Sequence, residues 1–230
     1  SWDNKNTTTG AEIGDGKNEW VDARINYLLN QGHDSEIFGG SLYWNRQKGD
    51  CYSGQSNATV TCDFTSTGLT DKAKNMIGDA KWYLGRNSSY DDTTPQLFYT
   101  TERATTSDMN RSVSWIGKVG LVYPSDYGYA TSGSTNIDKK VCLTKPMYNW
   151  SDADISDCKN NDWLLSENYW TMSTRMSNFD NVFSINYKGI NVLNASAYRP
   201  SKIRPVVYLK STIRITSGIG GKNNPYILEE

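Results

Sequence analysis

The chain has 230 residues, a net charge of −1 and a mean hydropathy of −0.66, and its 37% hydrophobic fraction includes 8 Trp and 15 Tyr. Lys and Arg form no stripe that could follow a phosphate backbone, so no nucleic acid partner is expected. No apolar run reaches the roughly 18 residues of a membrane helix, so no membrane span is expected either. A domain of this size can bury roughly 70% of its unfolded surface, enough for a core without metals, and much of that core must be aromatic.

Residues 1–18 are polar and rich in Gly, Thr and Asn, and are expected to form an extended leader or edge strand. Residues 19–230 are expected to form one ligand-binding domain. The first residue is Ser rather than Met, which leaves room for a signal peptide or anchor removed before it.

Trp20–Asn30 carries apolar residues at Trp20, Val21, Ile25, Leu28 and Leu29, the stripe of an amphipathic helix, and Gln31-Gly32 supplies a stop. Ser41–Trp44 is a short apolar segment. Thr70–Leu84 has a second one-sided stripe, with Thr70 or Asp71 as cap and Gly85 as terminator, and predicts a helix. Gln96–Thr101 has strand character. Trp115–Tyr123 alternates as a strand, and the following PSDYGYAT reads as a turn.

Trp163–Ser166 and Tyr169–Ser173 are expected to be buried strands. Asn181–Asn186 and Ile190–Leu193 flank Tyr187-Lys188-Gly189 and predict a hairpin. Ile203–Leu209 is a last long strand, with Pro205 indicating an edge position or a start at Val206. Ile213–Ile215 and Pro225–Leu228 form a short coda. Helices followed by many short strands imply an α+β fold rather than an alternating βαβ sheet. Trp44, Trp82, Trp115, Trp163 and Trp170 lie in apolar patterns and are expected in the core.

Cys51, Cys62, Cys142 and Cys158 allow three pairings, of which the local one, Cys51–Cys62 with Cys142–Cys158, is the simplest. Each such bridge would contribute roughly 3 kcal/mol in the chain-entropy model. With His33 as the single histidine and no CxxC, a zinc site is not expected. Two disulfides imply an oxidising, extracytoplasmic location, at the cell surface or outside it.

The order of these segments, ending in WTMS, GINV and RPVVYLKS, resembles the C-type-lectin fold. It is most similar to the branch holding formylglycine-generating-enzyme-like domains and the variable proteins of diversity-generating retroelements. Trp170, the Tyr187-Lys188-Gly189 turn and Arg204-Pro205-Val206-Val207 occupy the places of that family's Trp strand, hairpin and closing strand. GGSLYWN, CDFTSTGL, AKNMIG, GKVGLVYPSDYGYATSG and CKNNDWL resemble surface proteins of gut Firmicutes that often follow a pilin-like helix. The resemblance implies a C-type-lectin-like domain displayed on a bacterial or phage surface. Its variable-type face would lie at residues 174–201, where adenine-rich codons are diversified.

The departures are equally informative. The acidic-amide-Pro triplet of calcium-dependent sugar binding is missing, and no cysteine follows Cys158 to serve formylglycine-generating chemistry.

Residues 174–201 interleave amides, aromatics and Arg without core periodicity. The expected ligand-binding set is Arg175, Asn178, Phe179, Asn181, Phe183, Asn186, Asn191, Asn194, Tyr198 and Arg199. Strand alternation separates Val182, Ser184 and Asn186 from Phe183 and Ile185, so one of the latter pair is a candidate for the core.

His33 beside Asp34 and Glu36 lacks a nucleophile partner and reads as a solvated loop. Asp91-Asp92, Asp126 and Asp152-Asp154-Asp157 are calcium candidates without the Gly and Glu of an EF-hand. Asn-x-Ser/Thr sequons occur at Asn6, Asn57, Asn87, Asn110, Asn149 and Asn194 and are composition accidents if the protein is bacterial.

No cofactor and no catalytic activity are expected. The partner expected is an extracellular protein or glycan, in adhesion or ligand binding. The alternative is a pilin-like structural subunit of a surface fibre, with residues 1–18 completing a neighbour's sheet. A carbohydrate-active enzyme would have to rely on Glu167 with Asp162 or Asp180.

Overall fold

The computed structural model describes residues 1–5, 16–33, 40–89, 92–107, 109–150, 152–159, 167–176, 178–185, 192–221 and 223–230. It is a mixed α+β structure of short helices and small antiparallel sheets. The helices are α1 (Arg24–Leu29), α2 (Leu42–Asn45), α3 (Asp71–Met76), α4 (Pro95–Glu102), α5 (Pro124–Tyr129) and α6 (Lys139–Thr144). Four two-stranded sheets pair β1 (Lys48–Tyr52) with β2 (Thr59–Asp63), β3 (Ala80–Tyr83) with β4 (Ser114–Gly117), β5 (Val119–Leu121) with β9 (Pro205–Val207), and β10 (Arg214–Ser217) with β11 (Ile227–Glu229). The three-stranded sheet runs β6 (Tyr169–Thr174), β7 (Asn181–Ile185), β8 (Val192–Ser196).

That sheet divides the core. Every residue of β6 is buried. Trp170 and Met172, with Val182 of β7, enter one cluster with Trp2, Trp20, Trp44, Trp82 and Leu121. Tyr169, with Phe183 and Ile185, enters a second with Phe98, Tyr127, Met147 and Trp150. Period-two alternation sends neighbouring side chains to opposite faces, and here both faces are covered. The rings meet edge-on, Trp2 and Trp20 at 5.8 Å and Phe98 and Phe183 at 5.1 Å, the geometry their quadrupoles favour.

Several expectations are met locally. Tyr169–Ser173 is the buried strand β6, and β7 and β8 form the expected antiparallel pair, whose turn lies outside the described residues. Cys51 is joined to Cys62 across β1–β2, and Cys142 on α6 to Cys158. The Trp20–Asn30 helix is broken into a 3-10 turn at Trp20–Asp22 and α1, because Ala23 between them is extended. Within this segment Asn30 uses its amide as a strand would: its Nδ2 donates to the Val119 carbonyl at 2.9 Å and its Oδ1 accepts from Val119 N–H at 3.0 Å.

Others are corrected. The helix expected over Thr70–Leu84 stops at Met76. Thr70 does cap it, accepting from Ala73 N–H at 3.1 Å, but Ala80–Tyr83 is strand β3, with Trp82 opposite Trp115. Trp82 lies over Gly120, where a Cβ would stand 2.6 Å from the indole, so this packing demands glycine. Gln96–Thr101 is helix α4 rather than strand: Thr94 caps it, Pro95 sits in the first turn, and Phe98 and Glu102 face inward one turn apart. PSDYGYAT opens with helix α5 rather than a turn, again with Pro in its first turn. Trp115–Tyr123 is two strands in different sheets. Trp44, Trp82 and Trp170 are core as expected, Trp115 is half-buried against the core, and Trp163 lies outside the described residues along with the strand expected at Trp163–Ser166. Trp2 and Trp150 join the core as well.

Glu102 is buried where α4, α5 and β6 meet. It accepts from Ser125 N–H at 3.1 Å, from the Ser125 hydroxyl and from the Ser173 hydroxyl at 3.4 Å. Burial pushes its carboxyl up from 4.5 to about 7; the two bonds from Ser125 and the Arg103 charge oppose this, and the nearby Asp126 charge adds to it.

Two outcomes are expected. Phe183→Ala should cost about 3–5 kcal/mol in urea denaturation, while Phe179→Ala, at a site 43% exposed, should stay within about 0.5 kcal/mol; equal costs would contradict the two-faced burial of β7. Between 4.5 and about 7 the folded chain holds a Glu102 proton that the unfolded chain has released. Stability from this group is therefore full below the unfolded value, declines as pH rises through that window, and is flat above it. Glu102→Gln should remove that decline, gaining about 3 kcal/mol relative to the parent between about pH 4 and about pH 8; parallel pH profiles would rule it out.

Candidate functional site

The expected binding residues converge only in part. Thr174 ends β6, and the chain then turns through Arg175–Asp180 into β7. The turn is held mainly from behind, by its backbone. Asn18, fully buried, donates from its N–H to the Phe179 carbonyl at 2.9 Å. Its Nδ2 reaches the carbonyls of Asn178 at 3.1 Å, Asn181 at 2.7 Å and Arg175 at 3.4 Å.

Two buried arginines surround it. Arg86 Nη2 donates to Asn18 Oδ1 at 3.1 Å, to the Asn178 carbonyl at 2.7 Å and to the Arg175 carbonyl, and its Nε donates to Thr174 Oγ1 at 3.1 Å. Arg111 Nη1 donates to Asn18 Oδ1 and to the Asn18 carbonyl at 3.2 Å. Charge-assisted bonds are stronger than neutral ones, more so in a buried setting. A parallel bridge from Asn87 to Arg175 fixes the turn's first residue. Behind the turn, Trp20, Leu84, Arg86, Arg111 and Met172 line a narrow crevice.

A second turn, at 197–199, is tied to the first. Ala197 N–H donates to the Asp180 carbonyl at 2.8 Å, and Arg199 N–H to the Ser196 carbonyl at 3.0 Å. The first residues of the chain complete the junction: Trp2 N–H donates to the Ala197 carbonyl at 2.9 Å, and Trp2 Nε1 to the Thr171 carbonyl at 3.1 Å. Asp3, also buried, accepts from the main-chain N–H groups of Lys17 at 2.7 Å and Arg24 at 3.1 Å. Burial raises its carboxyl from the ordinary range, and those amide bonds oppose the rise.

The two joined turns therefore bring together Arg175, Asn178, Phe179, Asn181, Tyr198 and Arg199. Phe179 and Arg199 are exposed, while Arg175, Asn181 and Tyr198 are half-buried. Asn178 is a structural residue of the turn: its Oδ1 accepts from Asp180 N–H at 3.0 Å and Asn181 N–H at 2.7 Å. Phe183 does not belong to the face. It is 0% exposed against Phe98, because β7 is covered on both sides. Asn186 and Asn191 lie outside the described residues, as does the side chain of Asn194.

Sequence reasoning missed Asn18, Arg86 and Arg111. Their acceptors are mostly main-chain carbonyls, which no residue pattern encodes.

The other candidates are placed plainly. Glu167 pairs with Lys202, and both are exposed; Asp162 lies outside the described residues. The His33 ring stacks on Tyr27 at 4.2 Å. Asp157 accepts from Ser134 Oγ at 2.5 Å. Among the described residues no three His, Cys, Asp or Glu side chains converge as a metal site requires, and no helix is long and apolar enough to cross a membrane. Comparison with known proteins finds no matching family, no similar curated protein and no similar solved structure.

Asn18→Ala should lower stability by about 1–3 kcal/mol and speed hydrogen exchange at the Ala197 and Asn181 amides, whereas Phe179→Ala should do neither. Unchanged exchange at both amides in Asn18→Ala would show that the turn is held by other means.

Proposed function

We propose that this protein recognises an external ligand, a protein or a glycan, without catalysis, through the face made by the turns at 175–181 and 197–199. The observation that carries this reading is a division of labour. The turn's shape rests mainly on its carbonyls, held by Asn18 and Arg86, and on the Asn178 side chain. Phe179 and Arg199 are exposed on it and Tyr198 is half-buried beside them, and none of the three side chains has a hydrogen bond to the frame among the described contacts.

Such a surface is already ordered before binding, so it loses little entropy when a ligand arrives. Phe, Tyr and Arg are side chains able to anchor a partner. The same division lets those three positions change without disturbing the frame, which is what a diversified receptor requires.

The frame is read as C-type-lectin-like. The strand with Trp170, the β7–β8 pair and the closing strand Pro205–Val207 follow in the order that the resemblance implies. Two disulfides are compatible with a secreted protein displayed on a bacterial or phage surface.

Replacing the exposed Phe179 and Arg199 together by Ala should leave Tm within about 2 °C of the parent, and adding Tyr198→Ala at its half-buried site gives a triple variant that should remain folded. Screened against a panel of glycans and extracellular proteins, the parent should bind at least one member and the triple variant should bind it about tenfold or more weakly. A ligand held equally by both would move the site elsewhere. Sequencing the coding region of the whole chain across clones of the source population should find substitutions at these three positions while Asn18, Arg86 and Trp170 stay fixed. An invariant 174–201 would end the hypervariable reading and leave fixed-specificity binding.

A further inference from the structure

The last hairpin, β10–β11, pairs Arg214 with Glu229, Ile215 with Leu228 and, after a bulge, Ser217 with Ile227. Its connection is built rather than loose. Gly218 has φ +89°, and a Cβ there would lie 2.0 Å from the Pro225 carbonyl oxygen. Ile219 N–H donates to the Asn224 carbonyl at 3.1 Å. Among the described residues no third strand joins this sheet on either edge.

It nevertheless leaves large apolar side chains in water: Ile215 is 59% exposed, Ile219 76%, Tyr226 52% and Ile227 53%. A two-stranded sheet by itself is marginal in water, and an open edge is a template for another strand.

The two edges differ in charge. β10 carries Arg214 and β11 carries Glu229, both exposed; Lys210 and Glu230, beyond the outer ends of these strands, pair with each other within one molecule at 3.9 Å. Two-fold pairing, β10 on β10 or β11 on β11, places strands of like charge together. Head-to-tail pairing places opposite charges together and keeps the strands antiparallel, repeating between molecules the Arg214–Glu229 register already made within one.

We infer that β10–β11 is an assembly element whose occupant is a second copy of this chain, with β10 of one molecule adding to β11 of the next. The contact is heterologous, so it propagates into a filament or closes as a ring. The surface involved is one short hairpin, so each contact is weak and assembly depends on concentration.

The test needs no ligand: sedimentation velocity of the parent chain, Arg214→Glu and Glu229→Arg from micromolar to millimolar concentration, with Tm confirming that each variant is folded. The parent should show mass rising past the dimer. Each variant alone carries like charges on both edges and should associate about tenfold or more weakly. An equimolar mixture of the two variants restores opposite charges at every contact and should assemble as the parent does. A parent that stays monomeric overturns the inference, as do single variants that associate like the parent or a mixture that fails to recover.

Discussion

β6 has no side facing water, and that constraint shapes the rest of the molecule. A strand buried on both faces must have apolar cover above and below, and it must satisfy any polar group it carries. Trp170 and Met172 meet the first cluster, while Tyr169 meets the second. The polar residues between them are bonded: Thr171 Oγ1 donates to the Phe183 carbonyl at 2.8 Å, and the Ser173 hydroxyl reaches Glu102. Leaving such groups unpaired in the interior would cost more than their bonds contribute, so the strand's register is fixed as much by hydroxyls as by rings. Helices α4 and α5 are fixed in turn, because Glu102 ties both to β6.

The candidate binding face hangs on the end of this strand. β6 delivers Thr174 to the Arg86 guanidinium, and the turn that follows is closed by Asn18, more than 150 residues away in sequence. Ala197 ties the second turn to the first, and Trp2 anchors Ala197. The polar start of the chain thus belongs to the interior through Trp2, Asp3 and Asn4. A surface supported mainly through its carbonyls keeps its geometry whichever outward side chain it carries. That property links the packing of the core to the proposed recognition role, since rigidity and freedom of substitution come from the same set of hydrogen bonds.

The small sheets have a different character. β1–β2 is closed by the Cys51–Cys62 bridge, and β10–β11 has no covalent closure and more exposed apolar area. Two-stranded sheets gain little from their own ladders, so each needs outside support. The bridge supplies it for one; neighbouring copies of the chain supply it for the other in the assembly inferred above.

Local signals in the sequence carried a good part of this structure. Thr70 as a cap, the buried strand at Tyr169–Ser173, the β7–β8 pair and the α+β class were all legible, because each depends on side chains close together in the chain. The stretch expected to carry the face contains exposed Phe179 and Arg199, but also buried Phe183. The errors fell where one pattern serves two structures. Ala80 and Trp82 suit a helix as well as a strand, and only the ladder to Ser114–Gly117 chose. Phe183 stands beside exposed Phe179 in sequence, but only the second hydrophobic cluster decided that it points inward. Asn18, Arg86 and Arg111 were invisible as a group because they act mainly on carbonyls, and every residue has a carbonyl. The sequence by itself determined which segments could be buried; the tertiary structure decided which faces were, because burial on both sides of a strand depends on partners distant in the chain.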